Sequence, residues 1–242
     1  MKTINLKLFA ILAGVAILVT SACRLGGVRG SGNMITETRN VGDFDRIEVS
    51  DAYKLIIKQD SAGSAKITVN ADDNLLKYIK TDVSGGKLHI YNHKKIRSRE
   101  GLTVTVTVKN LTEVDASGAV KVESDGKLTV KDLKFDISGA TKVNMQLDAA
   151  NVNTDISGVG NITLSGQASS HRVQSSGMCK LEAFDFVVGD YDIETSGAGK
   201  CNINVLNKLS VHTSGIATIR YKGNPKEVND DKSGASSVKK VD

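Results

Sequence analysis

The 242-residue chain contains no tryptophan, one proline (Pro225) and only 4% aromatic residues. Aromatic side chains provide many of the anchors in protein interfaces and the platforms that hold sugars, so their scarcity argues against sites of that kind. The 40% of hydrophobic residues are mostly aliphatic and suit a narrow core. Apart from Lys2 and Lys7 near the N-terminus, 30 basic and 27 acidic side chains are interspersed, so nucleic acid is not an expected partner.

Motifs of known catalytic chemistry are also missing. The sequence has no nucleophile elbow, no phosphate-binding glycine loop and no HExxH pair. Its four histidines, His89, His93, His171 and His212, share no metal-ligand spacing with cysteines or carboxylates. We therefore predict a protein that is not an enzyme, with no catalytic residue and no cofactor, and the sequence identifies no metal site.

The most regular feature of the sequence is a recurring Ser-Gly pair. Between residues 117 and 234 it recurs in phase at 117-118, 138-139, 157-158, 176-177, 196-197, 214-215 and 233-234, at intervals of 21, 19, 19, 20, 18 and 19 residues, and one further pair at 165-166 is out of phase. A constant period near 20 is typical of a solenoid, in which each repeat buries its apolar face against its neighbours.

Alignment of the repeats on these glycines produces apolar columns at even offsets. The position four residues after the glycine is apolar or cysteine in every repeat, and positions six after and four before are mostly apolar until the array ends. The column four after the glycine consists of Val122, Val143, Ile162, Leu181, Cys201, Ile219 and Val238. Apolar residues two apart indicate β-strands, not helices.

A repeat of about 20 residues is too short for a four-stranded propeller blade, and hairpin-built sheets are the less favoured alternative. We predict an all-β fold, a right-handed parallel β-helix, or β-solenoid. Seven rungs spaced by about 4.8 Å would form a rod ~34 Å long. Glycine suits a corner of this rod because it accepts positive φ and because it allows neighbouring rungs to approach closely.

The N-terminus resembles a bacterial lipoprotein export signal. Lys2 and Lys7 precede an apolar run over residues 8–19, and small residues lead to Cys23. The run is too short to span a bilayer. We predict a signal peptide over 1–22, lipidation of Cys23 and a flexible Gly-rich tether over 23–34. An ordinary secretory signal with an incidental cysteine is the alternative.

Residues 35–238 are predicted to form a single β-solenoid domain, followed by a short tail over 239–242. Residues 111–238 carry the regular repeats, whereas 35–110 is β-rich but irregular, with a helical turn between Asp72 and Ile79. This part is expected to form wider early coils or a cap on the N-terminal edge. Its basic segment 93–100 could contact anionic headgroups or acidic glycans, although such clusters are usually only solvated.

Several segments together resemble a known family. They are VGDFDRIEVSDAYKLIIKQ, NLLKYIKTDV with GGKLHIY, and the repeat units ISGATKVNM, ISGVGNITL, TSGAGKCNI and TSGIATIRY. Over about residues 35–238 the chain resembles the auto-transporter adhesin head domain family, also called the GIN domain. The resemblance implies a β-solenoid of Ser-Gly repeats in an exported, often lipid-anchored protein of Bacteroidetes-type bacteria, and it supplies no catalytic residue.

Two polar columns have the opposite parity to the apolar ones and should point outward. The column three before the glycine includes Asp115, Asp136 and Asp155, and the column three after it includes Lys121 and Lys142. The three aspartates on adjacent rungs could form a cation- or glycan-binding stripe, because calcium prefers oxygen ligands and repulsion should raise at least one pKa. The alternative is a solvated face on which lysines across the corner reduce repulsion.

Cys179 and Cys201 invite a disulfide in an oxidising compartment. They lie two and four residues after their glycines, so on adjacent rungs their Cα atoms would be roughly 8 Å apart. We therefore predict two free thiols.

The sequence leaves three functions open. The first is a lipid-anchored envelope protein, adhesin-like or scaffolding, whose outer faces contact a glycan, another envelope protein or other copies of itself, with its anchor in the outer membrane. The second is a polysaccharide lyase or hydrolase on a β-helix, which would need paired carboxylates in a cleft. The third is a passive structural lipoprotein. The oligomeric state is not indicated.

Overall fold

The computed structural model describes residues 26–61 and 63–242. The predicted signal peptide and Cys23 lie outside the described residues. The described part is built almost wholly from strands, with a 3-10 turn at Leu76–Tyr78 where a helical turn was predicted. The eighteen strands, β1 to β18 in chain order, are Val28–Arg29, Met34–Asn40, Arg46–Val49, Lys54–Gln59, Lys66–Asp72, Ile79–Ser84, Lys87–Asn92, Ile96–Arg97, Thr103–Val108, Glu113–Ala116, Lys121–Ile137, Ala140–Ile156, Val159–Ser175, Met178–Thr195, Ala198–Thr213, Ile216–Lys222, Glu227–Lys232 and Ser237–Lys240.

The C-terminal half, from β10 to β18, forms a parallel β-solenoid, as predicted. Each of β11 to β15 is a long bent strand of 16 to 18 residues that makes one rung between two Ser-Gly corners. Neighbouring rungs pair in parallel and in repeat register, as Val143 with Ile162 and Thr154 with Val173 show. The 20-residue period of the sequence is therefore the circumference of one rung.

The apolar columns form the core. Every member of the column four after the glycine is buried from Val122 to Ile219, and Val238 in the last rung is partly buried. Phe135 and Val173, four before their glycines, are buried as well, whereas Asp230 in the same column of β17 is exposed. Charged residues on β17 and β18 occupy the last rung, and charged side chains are a common feature of unpaired sheet edges.

The Ser-Gly corners stack directly on one another. The Gly158 carbonyl accepts a hydrogen bond of 2.9 Å from the Met178 backbone N–H, and the same pattern joins the other rungs. A Cβ atom on Gly177 would overlap the carbonyl oxygen of Gly158. Of the seven corner glycines, Gly234 is the one with positive φ. Close approach of the rungs therefore explains the glycines, and the expected positive φ is wrong for the other six.

The N-terminal region contributes both early coils and a cap, but in an order that differs from the chain order. The coil formed by β3 and β4 lies between the coil of β7 and β9 and the first regular rung of β10 and β11. After β4 the chain therefore moves outward and later returns. At the outer end β2 pairs antiparallel with β5, β5 with β9, and β6 with β7. These strands cover the edge of the solenoid.

The described part of the predicted tether is not a free linker. Strand β1 pairs in parallel with β8, and the Gly30 backbone N–H donates to the Arg97 carbonyl at 2.8 Å. Gly32 donates its N–H to the buried Asp72 carboxylate at 2.7 Å. The small residues of this segment allow the chain to lie close to Asp72, since a Cβ on Gly30 would overlap that carboxylate.

Cys179 and Cys201 are free and buried. Cys179 lies opposite Gly199 and Cys201 opposite Leu181, so the thiols are two residues out of register, as the repeat alignment predicts. Hydrogen bonding to Cys179 and burial raise the pKa of the Cys201 thiol well above its usual value.

None of the helical structure in residues 26–61 and 63–242 is long and apolar enough to cross a bilayer.

Candidate functional site

An open groove of about 540 Å³ runs along the outside of the regular rungs, beside the Ser-Gly corners. We call it the acid–serine groove. Its two walls are the column three before each glycine and the column of corner serines, and its floor is the column between them. The lining residues are Asp136, Asp155, Gln174, Glu194, His212 and Asp231 on one wall, Ser157, Ser176, Ser196, Ser214 and Ser233 on the other, and Ile156, Ser175, Thr195 and Thr213 in the floor.

Strand alternation produces this groove. Side chains one and three residues before the glycine project outward on the same face, and the residue between them points inward. At Glu194, Thr195 and Ser196 the pattern is exposed, buried, exposed. Because the rungs are in register, the inward middle residue recurs in five rungs, from Ile137 to Thr213. The sixth rung adds Asp231 and Ser233, although Lys232 between them is exposed, and the six rungs give the groove a length of ~24 Å.

Basic side chains partly neutralise the acidic wall. Lys134 lies 3.2 Å from the carboxylate of Asp136 and 3.4 Å from that of Asp155, and the hydrogen bond to Asp136 raises the pKa of Lys134. Glu194 accepts a hydrogen bond of 3.0 Å from the Gln174 amide and lies 3.5 Å from the Arg172 guanidinium. These contacts fix the carboxylates while leaving lone pairs free for further hydrogen bonds.

The three aspartates of the predicted stripe do stack on adjacent rungs, with Asp115 opposite Asp136 and Asp136 opposite Asp155. Asp136 and Asp155 line the groove, and Asp115 lies beyond it, 3.9 Å from the amine of Lys87. Burial is the main cause that raises the pKa of Asp115, followed by repulsion from Asp136 and opposed by Lys87.

The neutralising lysines differ from those expected. Lys134 and Lys87 come from the acidic face itself, not from the column across the corner, in which Lys121 instead pairs with Glu123. Within the described residues no group of three or more histidine, cysteine, aspartate or glutamate side chains is placed to hold a metal ion. Each rung adds at most one carboxylate from this column, so the stripe offers a cation few ligands at a time.

The floor of the groove contains hydroxyl groups that the sequence interpretation did not single out. The hydroxyls of Ser175, Thr195 and Thr213 are buried and have no hydrogen-bond partner among the described residues. They lie in the column two before the glycine, where Ala116, Ile137 and Ile156 occupy the earlier rungs. The change from apolar to hydroxyl side chains along this column was visible in the repeat alignment.

A second outward column was also missed. The residue directly after each corner glycine is apolar and exposed in all seven repeats, and Val159, Met178 and Ile216 are the largest, with Ile216 68% exposed. The full column is Ala119, Ala140, Val159, Met178, Ala198, Ile216 and Ala235. The corner edge therefore presents an acidic, a serine and an apolar column side by side.

The buried polar cluster in the core has no access to the groove. The His171 Nε2 atom lies 3.0 Å from the Thr154 hydroxyl, and its Nδ1 atom lies 3.3 Å from the Tyr191 hydroxyl. Burial lowers the pKa of His171 to about 3, so the ring is neutral. This cluster stabilises the interior by satisfying its own polar groups.

Comparison with solved structures identifies the same architecture elsewhere. A protein described as a putative adhesin from Bacteroides fragilis has a TM-score of 0.84 and 24% identity, over 89% of this chain and 100% of that chain. A second putative adhesin, from Parabacteroides merdae, has a TM-score of 0.66 and 23% identity over 89% and 99% of the two chains. A protein described as a putative lipid binding protein from Parabacteroides distasonis has a TM-score of 0.62 and 22% identity over 90% and 100%.

No curated protein sequence matches the chain. Residues 43–225 match the family described as "putative auto-transporter adhesin, head GIN domain". This match covers more than half of the sequence and includes the β3–β4 coil, the rungs from β10 to β16 and the acid–serine groove except for Asp231 and Ser233. The chain therefore belongs to the auto-transporter adhesin head GIN-domain family.

Proposed function

We propose that the protein is a non-enzymatic, adhesin-like envelope protein, anchored in the outer membrane by a lipid on Cys23, that binds an extended neutral glycan in the acid–serine groove. The observation that carries this proposal is the repetition of one polar arrangement over six rungs. A linear polymer with hydroxyl groups at every unit could make similar contacts at each rung.

The chemistry of the two walls supports a neutral polymer. Carboxylates such as Asp155 and Glu194 accept hydrogen bonds from sugar hydroxyls, and the serine column can both donate and accept. An acidic polysaccharide would be repelled by the four carboxylates of the wall. No aromatic residue lines the groove, so each unit should bind weakly and affinity should grow with polymer length.

The enzyme alternative is less well supported. Glycoside hydrolysis needs two carboxyl groups with well separated pKa values on either side of one bond. Asp136 and Asp155 share the same lysine, and the carboxyl with a raised pKa, that of Asp115, lies outside the groove. A passive scaffold would bind no glycan at all.

A glycan array with the purified protein tests the groove. Glu194→Lys should abolish binding, because it places a cation in the middle of the acidic wall. Asp185→Lys is the matched control, since Asp185 is exposed on the same strand but lies outside the groove. Equal binding by both variants, or no glycan bound by the wild type, would contradict the proposal and favour an envelope protein partner or a scaffold.

Protease shaving of intact cells followed by immunoblotting tests the location, with a periplasmic protein as the control. Loss of the band is expected for a surface-exposed adhesin. Survival of the band would place the rod in the periplasm and contradict an adhesive role toward other cells.

A further inference from the structure

We infer that the N-terminal end of the rod carries a docking surface for anionic lipid headgroups, formed by a cluster that we call the basic end patch. Its five members are exposed: Arg29, Lys94, Lys95, Arg97 and Arg99. Only Glu100 interrupts this charge in the segment 93–100. None of the five makes an ion pair with any described residue, whereas many lysines on the rungs do, for example Lys54 with Glu123 at 2.9 Å.

The pairing of β1 with β8 places two like charges side by side. Arg29 lies directly opposite Arg97 in this parallel ladder, and Val28 lies opposite Ile96. Val28 and Ile96 pack against the core, so alternation directs both arginines away from it. Directly opposed like charges destabilise a ladder unless an anion lies between them. An anionic partner would therefore remove an unfavourable interaction that the protein alone retains.

The patch is held in place before any partner binds. The Ser98 hydroxyl donates to Asp72 at 2.6 Å, and the His93 backbone N–H donates to the Tyr78 carbonyl at 2.8 Å. The Lys94 amine lies 5.5 Å from the centre of the Tyr78 ring. The backbone that carries the patch therefore loses little conformational entropy on binding.

The length of chain that precedes β1 favours a membrane over other anions. Five residue steps separate Cys23 from Val28 and span at most about 17 Å. This step rests on the proposed lipid anchor, which would hold the patch within that distance of the headgroups. Basic residues this near to an anionic surface each strengthen binding about fivefold, and the effect is screened by salt.

Vesicle co-sedimentation tests the surface without the lipid. The mature chain, residues 23–242, is produced with Cys23→Ser, and its binding to phosphatidylcholine vesicles is compared with and without one-third phosphatidylglycerol. We expect binding that requires phosphatidylglycerol and weakens with salt. Reversal of three patch charges, Lys94→Glu, Lys95→Glu and Arg99→Glu, should reduce it more than a hundredfold, because loss of the three positive charges alone accounts for about that factor.

The matched control reverses three exposed charges on the rungs, Lys142→Glu, Lys180→Glu and Lys200→Glu, and should bind as the parent does. If this control loses binding instead, the rod lies on its side and the proposal is wrong. Binding to an acidic polysaccharide but not to the vesicles would also overturn it. Mass spectrometry of the wild-type chain measures lipidation at Cys23 separately, so failure of the anchor and failure of the patch are distinguishable.

Discussion

Replacement of Gly177 by alanine should strongly destabilise the solenoid, because this corner leaves no room for a methyl group. A Cβ atom at Gly177 would overlap the Gly158 carbonyl oxygen and lie 2.8 Å from that of Ser157. Both neighbours are backbone atoms, so the clash cannot be relieved by rotation of a side chain. The rungs would have to separate at the corner, which stretches the hydrogen bond of 2.9 Å from Met178 to Gly158.

Forcing extra volume into a packed region costs about 3 kcal/mol. For a domain of this size that corresponds to a decrease in melting temperature of about 9 °C. Gly199→Ala is the matched control. A Cβ at Gly199 would make ordinary contacts at 3.7 Å with Ala217 and Thr195, and its backbone does not have positive φ. Loss of chain entropy in the unfolded state should make this variant more stable by about 0.5 kcal/mol.

Urea unfolding followed by circular dichroism measures both free energies of unfolding by linear extrapolation. The slope of the free energy against urea should be unchanged in each variant, which shows that the same surface becomes exposed. Similar destabilisation of both variants would refute the reasoning, because it would mean that glycine is required along the whole repeat and not specifically at the stacked corner.

Three other outcomes are expected. Burial lowers the pKa of His171 to about 3, so below pH 6.5 the unfolded chain binds one more proton than the native chain does. The free energy of unfolding should therefore fall by about 2 kcal/mol between pH 7 and pH 5. Urea titrations should show a smaller fall for His171→Gln. Native protein should not react with a thiol reagent at Cys179 or Cys201 until denaturant is added, and a mass lower by two hydrogens without reduction would contradict the free thiols. Gly30→Ala should release β1 and expose the bond after Arg29 to trypsin, and unchanged resistance to trypsin would show that β1 is held without the Gly30 contact.

The regular part of the fold could be predicted from the sequence because every rung packs against its neighbours in the same way. In-register parallel stacking places Val143, Ile162 and Leu181 in one column, so a single alignment recovers the core. The stacking order at the N-terminal end could not be predicted in this way. There the β3–β4 coil turns at Ser50-Asp51, and Asp51 has φ of 70° in place of a glycine.

The corner at Ser50-Asp51 still belongs to the same stack as the Ser-Gly corners. The Asp51 carbonyl accepts a hydrogen bond of 2.7 Å from the Ala119 backbone N–H, as the corner glycines do in later rungs. The Asp51 carboxylate also accepts the Asn92 N–H at 2.8 Å, which offsets part of the cost of positive φ. A search for Ser-Gly alone misses the position because the corner here is Ser-Asp, and its positive φ differs from the backbone of the Ser-Gly corners from Gly118 to Gly215.

The candidate site was predicted only in part for a related reason. The outward parity of Asp136 and Asp155 follows from strand alternation, but their partner Lys134 depends on how side chains lie across two rungs. The period-two pattern fixes which face a residue occupies and not which neighbour it contacts. The exposed apolar column, in contrast, was present in the alignment and needed only to be compared with the buried columns.

The two proposed surfaces constrain each other through the geometry of the stack. The basic end patch lies at the end covered by β2, β5 and β6, and the acid–serine groove begins several rungs away at Asp136. If the patch rests on headgroups, the stacking axis runs away from the membrane and the groove runs along it. A polymer bound at Asp231, in the last rung, would then lie farthest from the lipid. The acidic wall is repelled by an anionic bilayer, so the charge distribution of the rod favours this same orientation.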